Sequence, residues 1–316
     1  MDQTTLIINR VLPIFLLLSL GVIIRRRQFL SESTIDDLRK IVVNLALPAV
    51  LAISFLGIDL EPTYLAIFAL TFALCVVLFG LGNLLKRWLN IPYIYFPFLM
   101  TGFEYGMLGV SLFGSAYGLE NIGYIAVADL GHELFIWFVF LAFLLMKRDN
   151  LSRPGQLVTA FVKSPVIIGI LAGIAFNLLG LRSFLYDSPI TGGIMATLEF
   201  LSNLTIPLIL ILVGYGIRFE KHALRDLLLV IGIRLALLIP LALILNAVLI
   251  RNLLQLERPF EAALFTLLIL PPPFIIPLYM RRGLIEERRY VNNVLMGYTV
   301  VSLVLFAAYF IANPQL

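Results

Sequence analysis

The chain has 316 residues, of which 61% are hydrophobic and 13% charged, and its mean hydropathy is +1.01. This composition excludes an ordinary soluble domain, in which charged residues make up about 25% of the chain, and it indicates an integral membrane protein. The net charge of +4 is small and gives no indication of a nucleic-acid partner.

Apolar runs that are long enough to cross a bilayer recur along the chain between short polar connections. A helix needs about 20 residues to span a hydrocarbon core of about 30 Å. The predicted fold class is therefore an all-α membrane protein with ten transmembrane helices. We call these helices spans 1 to 10, and they cover residues 6–24, 38–57, 64–85, 93–117, 122–146, 164–181, 192–216, 227–250, 260–280 and 291–312.

Basic residues fall mainly on one side of these spans. The connections after spans 1, 3, 5, 7 and 9 carry 18 of the 23 Lys and Arg residues, the other side carries 4, and Arg234 lies within span 8. The positive-inside rule places the basic side in the cytoplasm and both termini outside. Because Arg25 to Arg27 follow the first apolar run, that run predicts a span and not a signal peptide.

A short motif in span 2 is repeated in span 7. Span 2 contains Asn44 and Pro48 in "NLALP", and span 7 contains Asn203 and Pro207 in "NLTIP". Proline has no N–H for the carbonyl four residues earlier, which belongs to the asparagine in both copies. We therefore predict a helix break with a polar group near mid-membrane. Either the asparagines contact a substrate or ion, or they bond a neighbouring helix at a kink.

Spans 3 and 4 contain the single cysteine and an unusual acidic residue. Cys75 in span 3 has no partner, so no disulfide and no cysteine-based metal site is expected. Span 4, "LMTGFEYGMLGVSLFG", has four glycines, which indicate an interruption or close helix packing. Glu104 lies near its centre, where a carboxylate costs about 2.5 to 3.5 kcal/mol. Glu104, with the nearby Gly106, is a candidate for substrate or ion binding and for proton coupling; a structural glutamate is the alternative.

Span 5 has three titratable residues on one face. Asp129, His132 and Glu133 are spaced i, i+3 and i+4. They are candidates for proton coupling, since histidine titrates near neutrality, although such a cluster can also be an internally bonded polar stripe. The letters "HELFI" resemble the start of a zinc-protease motif, but its second histidine is absent. We expect no metal site, no cofactor and no enzyme.

Span 9, "LILPPPFIIPLYM", is poorly suited to a continuous helix. Pro271, Pro272 and Pro273 each remove a backbone donor, so we predict a break there. The N–H groups beyond the break attract anions, which makes Pro272 and Pro273 neighbours of a candidate substrate or ion site. Arg234 in span 8 has three possible roles: holding a substrate carboxylate, snorkelling to the membrane edge, or pairing with a protein carboxylate.

The two halves of the chain are related by fixed sequence offsets, which predict a five-plus-five inverted repeat. An odd number of spans in each half reverses the direction of the second copy. The predicted units are residues 1–148, a cytoplasmic linker at 149–163, and residues 164–316. At an offset of 159, Asn44, Leu45, Pro48, Leu51, Gly57 and Ile58 fall on Asn203, Leu204, Pro207, Leu210, Gly216 and Ile217; at 152, Pro13 and Gly21 fall on Pro165 and Gly173.

Three stretches resemble the auxin efflux carrier family, in its short-loop prokaryotic form, which is related to the bile acid:sodium symporters. They are "LALPAVLAISFLG", "EYGMLGVS" and "VADLGHELF". Gly106 and Gly109 match the family pattern N-x-G-x-x-G-x-P, but Glu104 stands for its asparagine and Ser111 for its proline. In the family's D-L-G-N stretch, His132 replaces the asparagine.

The resemblance implies ten helices in inverted halves, with helices 4 and 9 crossing at mid-membrane. It also implies a secondary active transporter of small organic anions, auxin-like or malate-like carboxylates, in the prokaryotic cytoplasmic membrane. A coupling ion, H⁺ or Na⁺, and a homodimer stay open, and the expected partners are the substrate and the bilayer. Glu104 would repel an anion unless it were protonated, so it is also a candidate for the coupling proton.

The residues leave three alternative functions. A cation/proton antiporter would use Glu104, Asp129 and Glu133 as its ion and proton sites. An intramembrane enzyme is disfavoured because no hydrolase motif accompanies Asp129 and Glu133. A sensor or channel is disfavoured because no further domain is evident.

Overall fold

The computed structural model describes residues 3–58, 61–149, 163–217, 224–281 and 283–316. Most of the predicted linker, at 150–162, lies outside the described residues. Most of the described chain is helical, and no strand occurs in it. The helices are α1 Gln3–Arg26, α2 Glu32–Gly57, α3 Tyr64–Trp88, α4 Phe96–Leu99, α5 105–117, α6 Leu119–Arg148, α7 Pro165–Leu178, α8 Arg182–Asp187, α9 Pro189–Gly216, α10 Leu224–Leu253, α11 Arg258–Ile269, α12 Ile276–Tyr279 and α13 Ile285–Ala312.

Six helices within the described ranges are long and apolar enough to cross a membrane: α2, α3, α6, α9, α10 and α13. At 1.5 Å per residue, each exceeds the thickness of a hydrocarbon core. The prediction of a helical membrane protein is therefore supported. The remaining four predicted spans correspond to α1, to the shorter apolar helix α7, and to two pairs of short helices, α4 with α5 and α11 with α12.

The two repeated prolines do not end their helices. In α2, a π-helical turn at Val42–Ala46 precedes Pro48, and the helix continues to Gly57. Proline lacks the N–H that would donate to the carbonyl four residues earlier. In the wider π turn the hydrogen bonds shift by one residue, so the missing N–H does not interrupt the helix. In α9, the only irregularity before Pro207 is at Leu204, between two helical stretches. The structure thus has a π turn and a one-residue irregularity where we had predicted breaks.

Two other segments are truly interrupted. Helix α4 ends at Leu99 and α5 begins at Tyr105, while α11 ends at Ile269 and α12 begins at Ile276. The prolines at 271–273 lie in the second gap, where their missing N–H groups leave carbonyls of α11 without helical partners. Ser302 of α13 donates to one of these, the carbonyl of Ile269, at 2.6 Å. We call the place where residues 100–104 and 270–275 meet the crossing.

The most extensive helix contacts pair α1 with α9, α2 with α7, and α3 with α6. In the first pair, Gly21 lies against the backbone of Ile211 and Gly214; in the second, Gly173 lies against the carbonyl of Ala52. A side chain at either glycine would overlap the backbone of the neighbouring helix. These small residues allow the close backbone approach that is common between membrane helices.

Polar side chains from neighbouring helices cap the C-terminal ends of α9 and α2 in a similar way. Arg25 of α1 donates to carbonyl oxygens at the end of α9, and Asn177 of α7 donates to carbonyl oxygens at the end of α2. Such donors satisfy acceptors that the last helical turn leaves free. The acceptors are Tyr215 and Ile217 for Arg25, and Phe55, Leu56 and Ile58 for Asn177.

Candidate functional site at the crossing

Glu104 joins the two interrupted segments. Its backbone N–H donates to the carbonyl of Pro271 at 2.8 Å. One oxygen of its carboxylate, Oε2, accepts the N–H of Phe274 at 2.6 Å, and the other, Oε1, accepts the N–H of Met107 at 3.3 Å. The residue also caps the start of α5. A single side chain therefore holds backbone groups of both segments at the point where neither is helical.

The first gap depends on a glycine. Gly102 has φ +72°, a left-handed conformation that residues with a side chain rarely adopt. A Cβ atom there would lie 2.7 Å from the Pro273 ring. Both the conformation and the close contact require glycine, so the gap in span 4 and the prolines of span 9 fit each other directly.

Arg234 of α10 binds the crossing from another helix. Its side chain is fully buried, with 0% exposure. Nη1 donates to the carbonyl of Leu99 at 2.9 Å, while Nη2 donates to those of Gly102 and Leu270 at 3.1 and 3.2 Å. The guanidinium carbon lies 5.1 Å from the centre of the Tyr298 ring. The positive charge thus faces carbonyl groups at the ends of α4 and α11.

None of the three roles inferred for Arg234 from the sequence describes this arrangement. The side chain does not reach the membrane edge, because it is completely buried. It is absent from the lining of the large cavity described below, and its hydrogen bonds go to backbone carbonyls. The guanidinium group of arginine has five N–H donors in one plane, so it can bind several carbonyl groups at once.

Asp129 and His132 form a buried pair on α6, each with 2% exposure. His132 Nδ1 lies 2.7 Å from Oδ1 of Asp129, and Nε2 accepts the backbone N–H of Phe103 at 2.9 Å. Because Nε2 is an acceptor, the ring proton belongs on Nδ1, which donates it to Asp129. Both ring nitrogens are then engaged in hydrogen bonds. The pair holds Phe103, the neighbour of Glu104, in place.

Glu133 completes the polar face of α6. Its Oε1 accepts the ring N–H of Trp137 at 2.8 Å. The side-chain ligand atoms of Asp129, His132 and Glu133 lie within 4.8 Å of one another, so the three residues that the spacing places on one face are together in space.

A cavity of about 790 Å³ extends from Arg39 and Lys163 to Glu104 and Pro273. Its walls are mainly apolar and include Leu47, and its volume lies within the range of small-molecule sites. We call it the main cavity. The candidates from the sequence that line it are Asn44, Glu104, Gly106, His132, Glu133 and Pro273.

The two repeated asparagines lie in different cavities. Asn44 lines the main cavity and donates to the carbonyl of Lys40 at 2.8 Å. Asn203 lines a second cavity of about 470 Å³, together with Ser54 and Gly57 from the other end of α2. Asp129 and Pro272 are buried and line neither of the two.

Two aromatic residues of the main cavity were not selected from the sequence. Trp137 lines it beside Glu133, and Tyr105 lines it next to Glu104. The Tyr105 hydroxyl is buried and has no hydrogen-bond partner among the described residues. The available signal in the sequence was their spacing from acidic residues: Tyr105 follows Glu104 directly, and Trp137 lies four residues after Glu133. Aromatic residues make up 12% of this chain, so this spacing alone did not single the two out.

No protein-family model matches the chain. Over 235 residues, it is 27% identical to a protein of Methanothermobacter thermautotrophicus whose name is "Uncharacterized transporter". The similarity covers 71% of this chain and 73% of that relative. The chain is therefore similar, over most of its length, to a protein named as a transporter.

Proposed function

We propose that the protein is a secondary active transporter that works by alternating access. The observation that carries this proposal is the main cavity, which ends at two interrupted helices. Non-helical backbone at membrane depth is tolerated where it is buried in protein or lines a cavity, and in transporters it forms substrate and ion sites. The second cavity, at the opposite end of α2, is where access from the other side would form.

The contacts of α1 and α7 support a ten-helix inverted repeat, with 1–148 and 164–316 as its halves. Gly21 and Gly173 are 152 residues apart, and their partners Ile211 and Ala52 are 159 apart. These are the two offsets that align the halves in the sequence. The same offsets relate Arg25 to Asn177, Tyr215 to Leu56 and Ile217 to Ile58.

Organic anions are the first candidate substrates, through the resemblance to auxin efflux carriers. Lys163 and Arg39, the latter paired with Asp36, also line the main cavity, and their positive charge would attract an anion. In the orientation predicted from basic residues, this cavity faces the cytoplasm and both termini lie outside. The apolar walls suit the carbon skeleton of an auxin-like acid better than that of a dicarboxylate.

A cation/proton antiporter is the second candidate. Two carboxylates, Glu104 and Glu133, line the main cavity, and intramembrane carboxylates commonly serve as ion or proton sites. Asp129 and His132 lie close to Glu133 on α6, with side-chain ligand atoms within 4.8 Å of one another. In this proposal a cation and a proton would occupy the carboxylates in turn.

Charge movement across proteoliposomes on solid-supported membranes tests these proposals. A panel of mono- and dicarboxylates would be applied at two pH values to the wild type and to Glu104→Gln. Substrate-specific currents that lose their pH dependence in Glu104→Gln would support anion transport with Glu104 as a proton site. Currents from cation or pH jumps alone would support the antiporter.

The matched control is Glu286→Gln. Glu286 is exposed, pairs with Arg289 at 3.1 Å and lines neither cavity, so its removal should leave the currents unchanged. Folded wild-type protein that gives no current with any carboxylate, cation or pH jump would contradict the transporter proposal.

A further inference from the structure

The carboxylate of Glu104 is held in the way that a protein holds a bound anion. Its two oxygens accept backbone N–H groups from different segments, Phe274 at 2.6 Å and Met107 at 3.3 Å. Hydrogen bonds from backbone N–H groups to a carboxylate are short and strong, as the first of these is. The side chain lines the main cavity, so the same place is open to a small molecule.

We propose that the crossing contains a binding site for a small carboxylate and that the chain itself fills this site with Glu104. The site consists of the N–H groups of Phe274 and Met107, which come from two segments and converge on one carboxylate. Arg234 also binds both segments, through the carbonyls of Gly102 and Leu270, so a second side chain connects them when that of Glu104 is removed.

This proposal bears on the substrate class, and in that respect it rests on the proposed transport function. A substrate carboxylate would compete with Glu104 for the same two N–H groups. An anion can therefore bind at the crossing only when the Glu104 side chain leaves. A substrate without a negative charge, or a cation that pairs with Glu104, would meet no such competition.

Removing the side chain should convert the internal site into one for a free ligand. Glu104→Ala deletes four non-hydrogen atoms, one CH₂ carbon and the carboxylate group, which is the size of acetate. In detergent, sodium acetate should raise the midpoint of thermal unfolding of Glu104→Ala by about 3 °C over sodium chloride of equal ionic strength. The wild type should show no difference, because its site is filled.

Two variants control for size and charge. Glu133→Ala leaves a gap of the same size in the same cavity, but the carboxylate it removes was bonded to the Trp137 ring, so acetate should have no effect. Glu104→Gln keeps the gap filled and should also be unresponsive. If Glu104→Ala cannot be purified, Glu104→Gly replaces it, because glycine is tolerated at a helix start and offers no side-chain acceptor to the N–H of Met107.

An acetate shift confined to Glu104→Ala or Glu104→Gly would support the proposal. Equal shifts in Glu133→Ala or the wild type, or no shift in any variant, would overturn it. Unfolding temperature measures binding and not flux, so this result is separate from the transport proposal. If acetate shifts the unfolding temperature but the protein gives no currents, the binding-site proposal is supported and the transport proposal is contradicted.

Discussion

Arg234 Nη2 lies 3.2 Å from the carbonyl oxygen of Leu270, at the end of α11. The same nitrogen binds Gly102, so one atom of α10 connects both interrupted segments. Arg234 occupies the carbonyl side of the crossing, and the carboxylate of Glu104 occupies the N–H side. The crossing is thus stabilised by one buried cation and one carboxylate that each bind backbone, which agrees with the rule that buried charges need compensating hydrogen bonds.

Replacing Arg234 should destabilise the protein strongly. Arg234→Met leaves the three carbonyls of Leu99, Gly102 and Leu270 without this donor, and we expect the free energy of unfolding to fall by about 3 kcal/mol or more. Arg234→Lys should recover only part of this, because an ammonium cannot reproduce the planar fork. Thermal or denaturant unfolding in detergent measures both.

The control for this prediction is Arg289→Met. Arg289 is an exposed arginine of α13 that pairs with the exposed Glu286, and loss of an exposed pair changes stability little. If Arg234→Met were as stable as Arg289→Met, the assigned role of Arg234 at the crossing would be wrong.

The Asp129–His132 pair predicts a specific pattern in double variants. His132→Leu leaves a buried carboxylate and the N–H of Phe103 unpaired, so it should lower the free energy of unfolding by about 3 kcal/mol or more. Adding Asp129→Leu removes the unpaired carboxylate, so the double variant should be more stable than His132→Leu alone. Unfolding of the two single variants and the double variant measures this coupling. Independent, additive losses would contradict the pairing.

Close packing at Gly21 and Gly173 should make both positions sensitive to added volume. We expect Gly21→Val and Gly173→Val each to cost about 2 kcal/mol or more, because the new side chain would overlap the backbone of α9 or α2. Gly80→Val is the control, since nothing lies within 4 Å of a Cβ atom there. The comparison requires unfolding curves of the three variants. A large loss at only one of the two sites would argue against equivalent roles of α1 and α7.

Trp137 should report on occupancy of the main cavity. The chain has two tryptophans, and Trp88 is 79% exposed at the end of α3. In Trp88→Phe, tryptophan fluorescence, excited at a wavelength that tyrosine does not absorb, comes from Trp137 alone, so a ligand that enters the cavity should change its intensity or emission maximum. Trp137→Phe should not respond to the same ligand. A response from Trp88 alone would place binding elsewhere.

Much of the fold follows from local chemistry and was predictable. Apolar runs predicted membrane helices, and six are evident by length and apolarity among the described residues. Pro271 to Pro273 and Gly102 lie in gaps because a missing N–H and a left-handed φ are properties of the residue itself. Pro48 shows the limit of such reasoning, since a π turn allows α2 to continue through it.

The sequence by itself determined that the chain is a helical membrane protein, that its span 9 is interrupted, and which acidic residues lie on a common face of α6. Only the tertiary structure decided the partners: Arg234 binds a carbonyl 132 residues away, and Glu104 an N–H 170 residues away. Inside a membrane every backbone group must find a partner, so the need can be predicted locally. Which side chain meets that need depends on how distant helices pack.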